Sequence, residues 1–260
     1  MKDVIIAAHR GDQTHYPEST LPALDTAARM GVDAVEVDLH MSRDGVVYLM
    51  HDHTVDRTTN GTGKTHELDW AYLSTLDAGS WFDPKFAGLR IPTLEEVLTW
   101  AEQYDGLVIN WELKDYPHTC GEEHALRCAQ QLVRGIFAHG LQGRSMINSF
   151  SSRLLEYCDK LAFHTVPIHG QGVGDTCRMF GDMTRPPESY WAWACLYNSK
   201  GGTLAEKENF DLCKSMGILP CVCLPENKAV YREAVARGCK MFTCNDPRKA
   251  LEIMRELGLR

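Results

Sequence analysis

Short apolar runs rich in Val and Ile alternate along the chain with segments of helical period, a pattern that predicts repeated βαβ units and a parallel sheet. The strand signal is strongest at residues 4–9, 34–40, 107–113, 145–149, 161–166, 193–197, 218–223 and 240–244. Eight strands in this alternation close a barrel, so the expected fold class is α/β, a single (β/α)8 TIM barrel. A ninth run, 46–50, follows the second strand after only Ser42-Arg43-Asp44-Gly45, whose Asp-Gly step favours a tight turn. A parallel crossover needs about a dozen residues or more, so this run is expected to return antiparallel, as a hairpin arm on the barrel rim.

Helices are expected between the strands, for example at 19–30 with Ser19 as cap, at 93–104 with Thr93 and Glu96 in capping-box spacing, and at 122–139. Residues 53–92 are too many for an ordinary barrel loop, and they read as a small inserted subdomain, after the second strand and its hairpin, that caps the active-site end. A second, mobile rim loop is expected at 169–187, where Gly and Pro recur. No repeat or linker divides the chain, so one domain is expected over residues 1–260.

Composition narrows the function. Hydrophobic residues at 44% and charged residues at 24% are near the averages of folded globular proteins. A formal charge of -8 argues against a nucleic-acid binder, whose affinity is built from Lys and Arg facing phosphates. No apolar run approaches the roughly 18 to 20 residues that cross a bilayer, and the start, MKDVIIAAHRGD, leaves its apolar stretch after a few residues, so neither signal peptide nor anchor is expected. The 10 cysteines are scattered through strand and helix patterns, which favours free thiols and a cytoplasmic setting. Cys221-x-Cys223 has the spacing of neighbours on one strand face, without the two-residue gap of zinc knuckles.

The most informative stretch is Val35-Glu36-Val37-Asp38-Leu39, where two carboxylates share one face of an otherwise apolar strand. Inside a barrel such a pair loses its hydration unless a cation lies between its members. Glu112, near the end of another strand, adds a third acid, and together they predict one hard divalent cation, Mg²⁺ or Ca²⁺. His9 closes the first strand and His51 the hairpin arm; imidazoles there suit the acid and base of phosphodiester cleavage. Arg10 and Lys114, beside these residues, suit phosphate contact.

Taken in order, His9-Arg10-Gly11, Pro17-Glu18-Ser19-Thr20, Glu36-x-Asp38, Asp44-Gly45, His51-Asp52, Arg57-Thr58-Thr59, Ile91-Pro92-Thr93-Leu94 and Glu112-Leu113-Lys114 resemble the glycerophosphodiester phosphodiesterase family, and Ser149-Phe150 is similar to its next block. The resemblance implies a metal held by Glu36, Asp38 and Glu112, His9 with His51 as acid and base, and phosphate bound by Arg10 and Lys114. It also implies a small glycerophosphodiester substrate, cut to an alcohol and sn-glycerol 3-phosphate through a cyclic phosphate. The C-terminal half departs from the family pattern: Cys223-Leu224-Pro225-Glu226-Asn227 lacks the usual tryptophan, and the last strand reads Met241-Phe242-Thr243-Cys244-Asn245-Asp246-Pro247. The pocket for the leaving alcohol is therefore the open part of the reading, with Phe150, Trp191, Trp193 and Tyr197 as its aromatic lining or else as core.

Three other readings compete. His51-Asp52-His53, with His164, His169 and Asp246, has the composition of an amidohydrolase zinc site, but its His-x-His falls on the hairpin arm and leaves the three acids unexplained. A lyase of the spider-venom phospholipase D type shares the acid and histidine plan and would stop at the cyclic phosphate. A barrel kept only for binding predicts the loss of at least one of these groups, and none is missing.

Overall fold

The computed structural model describes residues 4–199, 202, 204–225 and 227–260. Residues 1–3 and Glu226, both quoted above, lie outside the described residues. The strands are β1 (Ile5–His9), β2 (Ala34–Met41), β3 (Val47–Leu49), β4 (Val108–Leu113), β5 (Ser145–Asn148), β6 (Ile168–Gln171), β7 (Trp191–Leu196), β8 (Leu219–Cys223) and β9 (Met241–Cys244). The helices are α1 (Leu21–Arg29), α2 (Trp70–Leu73), α3 (Leu94–Ala101), α4 (Pro117–Cys120), α5 (Glu122–Ala138), α6 (Ser152–Leu161), α7 (Lys207–Met216), α8 (Lys228–Ala236) and α9 (Pro247–Glu256).

All strands but β3 run parallel, and the β1–β2 pairing closes them into an eight-stranded barrel ringed by helices. The arm β3 pairs antiparallel with the end of β2, Leu39 opposite Leu49, as the short Asp-Gly connection requires. Because barrel strands bury both faces, alternation sorts their side chains into two cores. Ala7, Ala34, Met146, Trp193, Cys221 and Met241 fill the barrel interior, whereas Ile6, Val35, Val37, Ile109 and Trp111 join the larger core that also holds Leu24, Leu98 and Leu132 of the helices. From β3 to the start of α3 the chain builds a third cluster of Tyr48, Met50, Val55, Leu73, Leu76, Ala78 and Ile91. The capping box predicted at α3 is formed, with Thr93 Oγ1 accepting from the Glu96 N–H and the Glu96 carboxylate accepting from the Thr93 N–H.

Three expectations change. Residues 161–166 are not a strand: α6 runs through Leu161, and Phe163 and His164 then turn left-handed at φ 50° and 58°. Their apolar look comes from Leu161, Ala162 and Val166; the first two end the helix, Ala162 and Val166 are buried, and Phe163 stands exposed. The true strand is β6, whose His169 and Gln171 face the barrel interior and so hid the signal from an apolar count. The rim loop consequently starts after Gln171 and not at 169; Phe180 ties it down, its N–H donating to Phe150 O at 2.6 Å. At α1 the cap is Thr20, because Ser19 sits in a left-handed conformation at φ 56°. Among the described residues, no helix is long and apolar enough to cross a membrane.

Candidate active site

Parallel pairing places Glu36 beside His9 on one side and Asn110 on the other, and Asp38 beside Glu112. All three acids face the interior at the end of the barrel where the strands finish, and a carboxylate oxygen from each lies within 4.8 Å of the others. Their relative exposure is 7% or less, so water does not screen them from one another. Burial, then the charges of Asp38 and Glu112, push the Glu36 carboxyl well above its usual range. Burial would also raise Asp38, but Lys114 and Arg10 outweigh it and take that carboxyl down to about 2. Lys114 Nζ lies 3.2 Å from Asp38 Oδ1 and also bonds Glu112, while Arg10 Nε lies 3.1 Å from Asp38 Oδ2.

These two cations do not use up the acids. Glu36 Oε1 and both Asp38 oxygens are buried without a well-directed hydrogen bond. Glu36 Oε1, with neither hydrogen bond nor cation beside it, is costly to bury, and three hard oxygen donors converging on one point fit a divalent cation of the Mg²⁺ or Ca²⁺ kind. Arg10 reaches Asp38 because Arg10 and Gly11 turn the chain left-handed at φ 57° and 82°. A Cβ on Gly11 would stand 2.5 Å from the Ala23 carbonyl carbon, so only glycine fits that turn. Arg10 also bonds Glu18 at 2.9 Å, and Glu18 in turn holds Arg57, which clasps Asp52.

The histidines join the same assembly from opposite ends. His9 Nδ1 lies 2.6 Å from Asn245 Oδ1 and 2.9 Å from Gln13 Nε2, contacts that fix the ring so that Nε2 lies 3.8 Å from Glu36. Burial, aided by Arg10, lowers the His9 imidazole to about 4, which keeps it neutral at pH 7. His51 Nδ1 donates to Asp52 Oδ1 at 2.7 Å, an arrangement that orients the ring. His9, His51, Arg10, Lys114, Glu36 and Glu112 all line one cavity of ≈ 220 Å³.

The aromatic candidates divide. Phe150 and Tyr197 line the cavity. Trp193 faces inward but lies deeper, in the apolar interior with Ala7 and Met241. Trp191 faces outward, because β6 and β7 shift register between Ile168 and His169 and leave it paired with Ile168. The two tryptophans are therefore core and not pocket. Of the amidohydrolase set, His164 pairs with Asp159 on the surface after α6, where its side chain is 63% exposed and takes no part in the cavity.

The family model described as the glycerophosphoryl diester phosphodiesterase family matches residues 9–187. The chain belongs to that family. A glycerophosphodiester phosphodiesterase of Caldanaerobacter subterraneus subsp. tengcongensis is 39% identical over 168 residues, 63% of this chain and 65% of the relative. One from Bacillus subtilis is 37% identical over 161 residues, 58% of this chain and 54% of the relative. The chain thus spans about half to two thirds of these relatives' length. Among solved structures, a phosphodiesterase of Oleispira antarctica in complex with the product sn-glycerol-3-phosphate has the same fold, with a TM-score of 0.82 at 23% identity over 96% of each chain.

Within this family frame, several cavity residues escaped the reading of the sequence. Asn110, Asn148, Gln171 and Thr243 line the cavity beside His169, which the sequence offered only as part of an amidohydrolase set, and Asn245 with Gln13 holds His9. A signal was present: Asn110-x-Glu112, His169-x-Gln171 and Thr243-x-Asn245 each set two polar groups two apart at a strand end. His40 shares the face of Glu36 and Asp38 yet serves structure, its Nδ1 2.5 Å from the buried Asp115.

Proposed function

We propose that the chain hydrolyses glycerophosphodiesters to sn-glycerol 3-phosphate and an alcohol, with one Mg²⁺ or Ca²⁺ held by Glu36, Asp38 and Glu112. When bound, the cation polarises phosphoryl oxygens and acidifies a neighbouring hydroxyl. The guanidinium of Arg10 and the ammonium of Lys114 supply fixed positive charge for the phosphate. His9, kept neutral by burial and with Nε2 turned toward Glu36, takes the proton of the attacking glycerol hydroxyl. His51, steadied by Asp52, gives a proton to the departing alcohol, and the resulting cyclic phosphate is opened by water with the two roles exchanged. Phe150 and Tyr197 form the wall that meets the alcohol. The unbridged state of all ten cysteines is in keeping with a cytoplasmic place in glycerol and lipid metabolism.

The single observation that carries this reading is the convergence of three buried carboxylates, Glu36 with an unpartnered oxygen, beside the cavity that both histidines line. Its test is a metal-depleted protein assayed on glycerophosphodiesters of choline, ethanolamine, inositol and glycerol, with Mg²⁺, Ca²⁺, Mn²⁺ and Zn²⁺ restored separately. Turnover is expected to return with Mg²⁺ or Ca²⁺, and phosphorus NMR is expected to show sn-glycerol 3-phosphate. Accumulation of the cyclic phosphate would move the chain to the lyase reading. Undiminished turnover without any divalent ion removes the metal from the reaction.

A further inference from the structure

The far wall of the barrel interior carries a second cluster with different chemistry. Cys195 on β7 and Cys221 and Cys223 on β8 turn their sulfurs toward one another, all within 4.8 Å, and Cys195 Sγ lies 2.6 Å from Cys223 Sγ. Strand register produces the group: Cys195 is paired directly with Cys221, and Cys223 lies two residues further up the same face. The cluster is reachable from one side only. Cys195 and Cys221 have no exposed surface, while Cys223 is partly exposed and lines the cavity of the candidate active site. Beside them, level with Cys223, the Thr243 hydroxyl lies 3.6 Å from Cys221 Sγ.

We propose that Cys195, Cys221 and Cys223 bind one thiophilic cation of the Zn²⁺ or Cu⁺ kind, entering through the cavity and sitting apart from the carboxylate site. Thiolates select such ions, whereas three carboxylates select hard ones, so one barrel mouth separates two metals by ligand softness. Metal–sulfur bonds of about 2.3 Å set tetrahedral thiolates roughly 3.8 Å apart, so Cys195 and Cys223, now 2.6 Å apart at sulfur, move apart on binding. On binding, each thiol that becomes a ligand loses its proton to the buffer as its bond to the cation forms, so no electrons change hands. The fourth position opens toward the cavity, where water or a polar group completes the shell.

The test uses the intact chain, reduced with a phosphine and supplied with excess Mg²⁺, and Cd²⁺ as an optical stand-in. The expected result is uptake of one Cd²⁺ per chain with a thiolate-to-cadmium absorption band, displaced by Zn²⁺ or by Cu⁺ according to which ion the site prefers. Cys195→Ser and Cys223→Ser each weaken uptake by about tenfold or more, while Glu112→Gln leaves the band in place. In the unaltered chain Cd²⁺ is expected to shield Cys223 from alkylation, a readout that does not depend on a variant folding. Absence of the band, a band that survives both serine changes together, or alkylation of Cys223 at the same rate with and without Cd²⁺ would overturn the proposal.

Discussion

The two walls of the barrel mouth differ in how they handle polarity. On the wall built by β1, β2 and β4, formal charges are packed together: Glu36, Asp38 and Glu112 against Arg10 and Lys114. On the wall built by β6, β7 and β8, the inward groups are His169, Gln171, Cys195, Cys221, Cys223 and, just beyond β7, Tyr197. Burial lowers His169 to about 4, so that wall carries no formal charge at pH 7. Charges in a low-dielectric interior interact strongly and demand partners, so the first wall is a tightly specified network. Neutral polar groups place no such demand for charged partners, so the second wall is less tightly specified.

The comparison predicts a graded set of effects. Asp38→Asn is expected to cost a few thousandfold in kcat/KM, several kcal/mol of lost charge stabilisation, with Mg²⁺ affinity measured by calorimetry falling in step. Retained metal affinity would detach Asp38 from the cation. His9→Ala and His51→Ala are each expected to lower kcat about a thousandfold while leaving the thermal transition in place; full activity in either would remove that histidine from the chemistry. Behind the charged wall, Asp115 accepts from the Met41 N–H and pairs with His40 and His124, and those partners overcome its burial and hold the carboxyl below its ordinary range. A depressed carboxyl contributes stability above the ordinary carboxylate pKa of about 3.9 that is lost as pH falls below it. Asp115→Asn is therefore expected to cost about 3 kcal/mol at pH 7 and less under acid conditions, by urea melts across pH; a pH-independent loss contradicts the ion-pair account. The smallest effect belongs to the aromatic lining between the walls: Phe150→Ala is expected to raise KM about threefold to tenfold, unequally among alcohols, with kcat nearly unchanged. A fall in kcat alone would place Phe150 in the chemistry.

Legibility in the sequence follows the same division. Two acids two apart in Val35-Glu36-Val37-Asp38-Leu39 stand out because a charge on an apolar strand has no bland explanation. On β6 the opposite held: only Ile168 is strongly apolar, so the strand was mistaken for the apolar end of α6 seven residues earlier. The tryptophans mislead for a related reason. Trp191 and Trp193 have the same spacing as two residues on one strand face, yet a register shift sends the first outward and strand depth sinks the second below the cavity.

By itself the sequence determined the barrel class and seven of its eight strands, the antiparallel return of the arm and the charged groups, because periodicity, turn chemistry and misplaced charge are local properties. Only the tertiary structure decided which polar residues meet. His9 with Asn245, Asp38 with Lys114, and Cys195 with Cys223 are brought together by closure and stagger of the strands. Those quantities depend on pairings between segments as much as 236 residues apart, which no local pattern encodes.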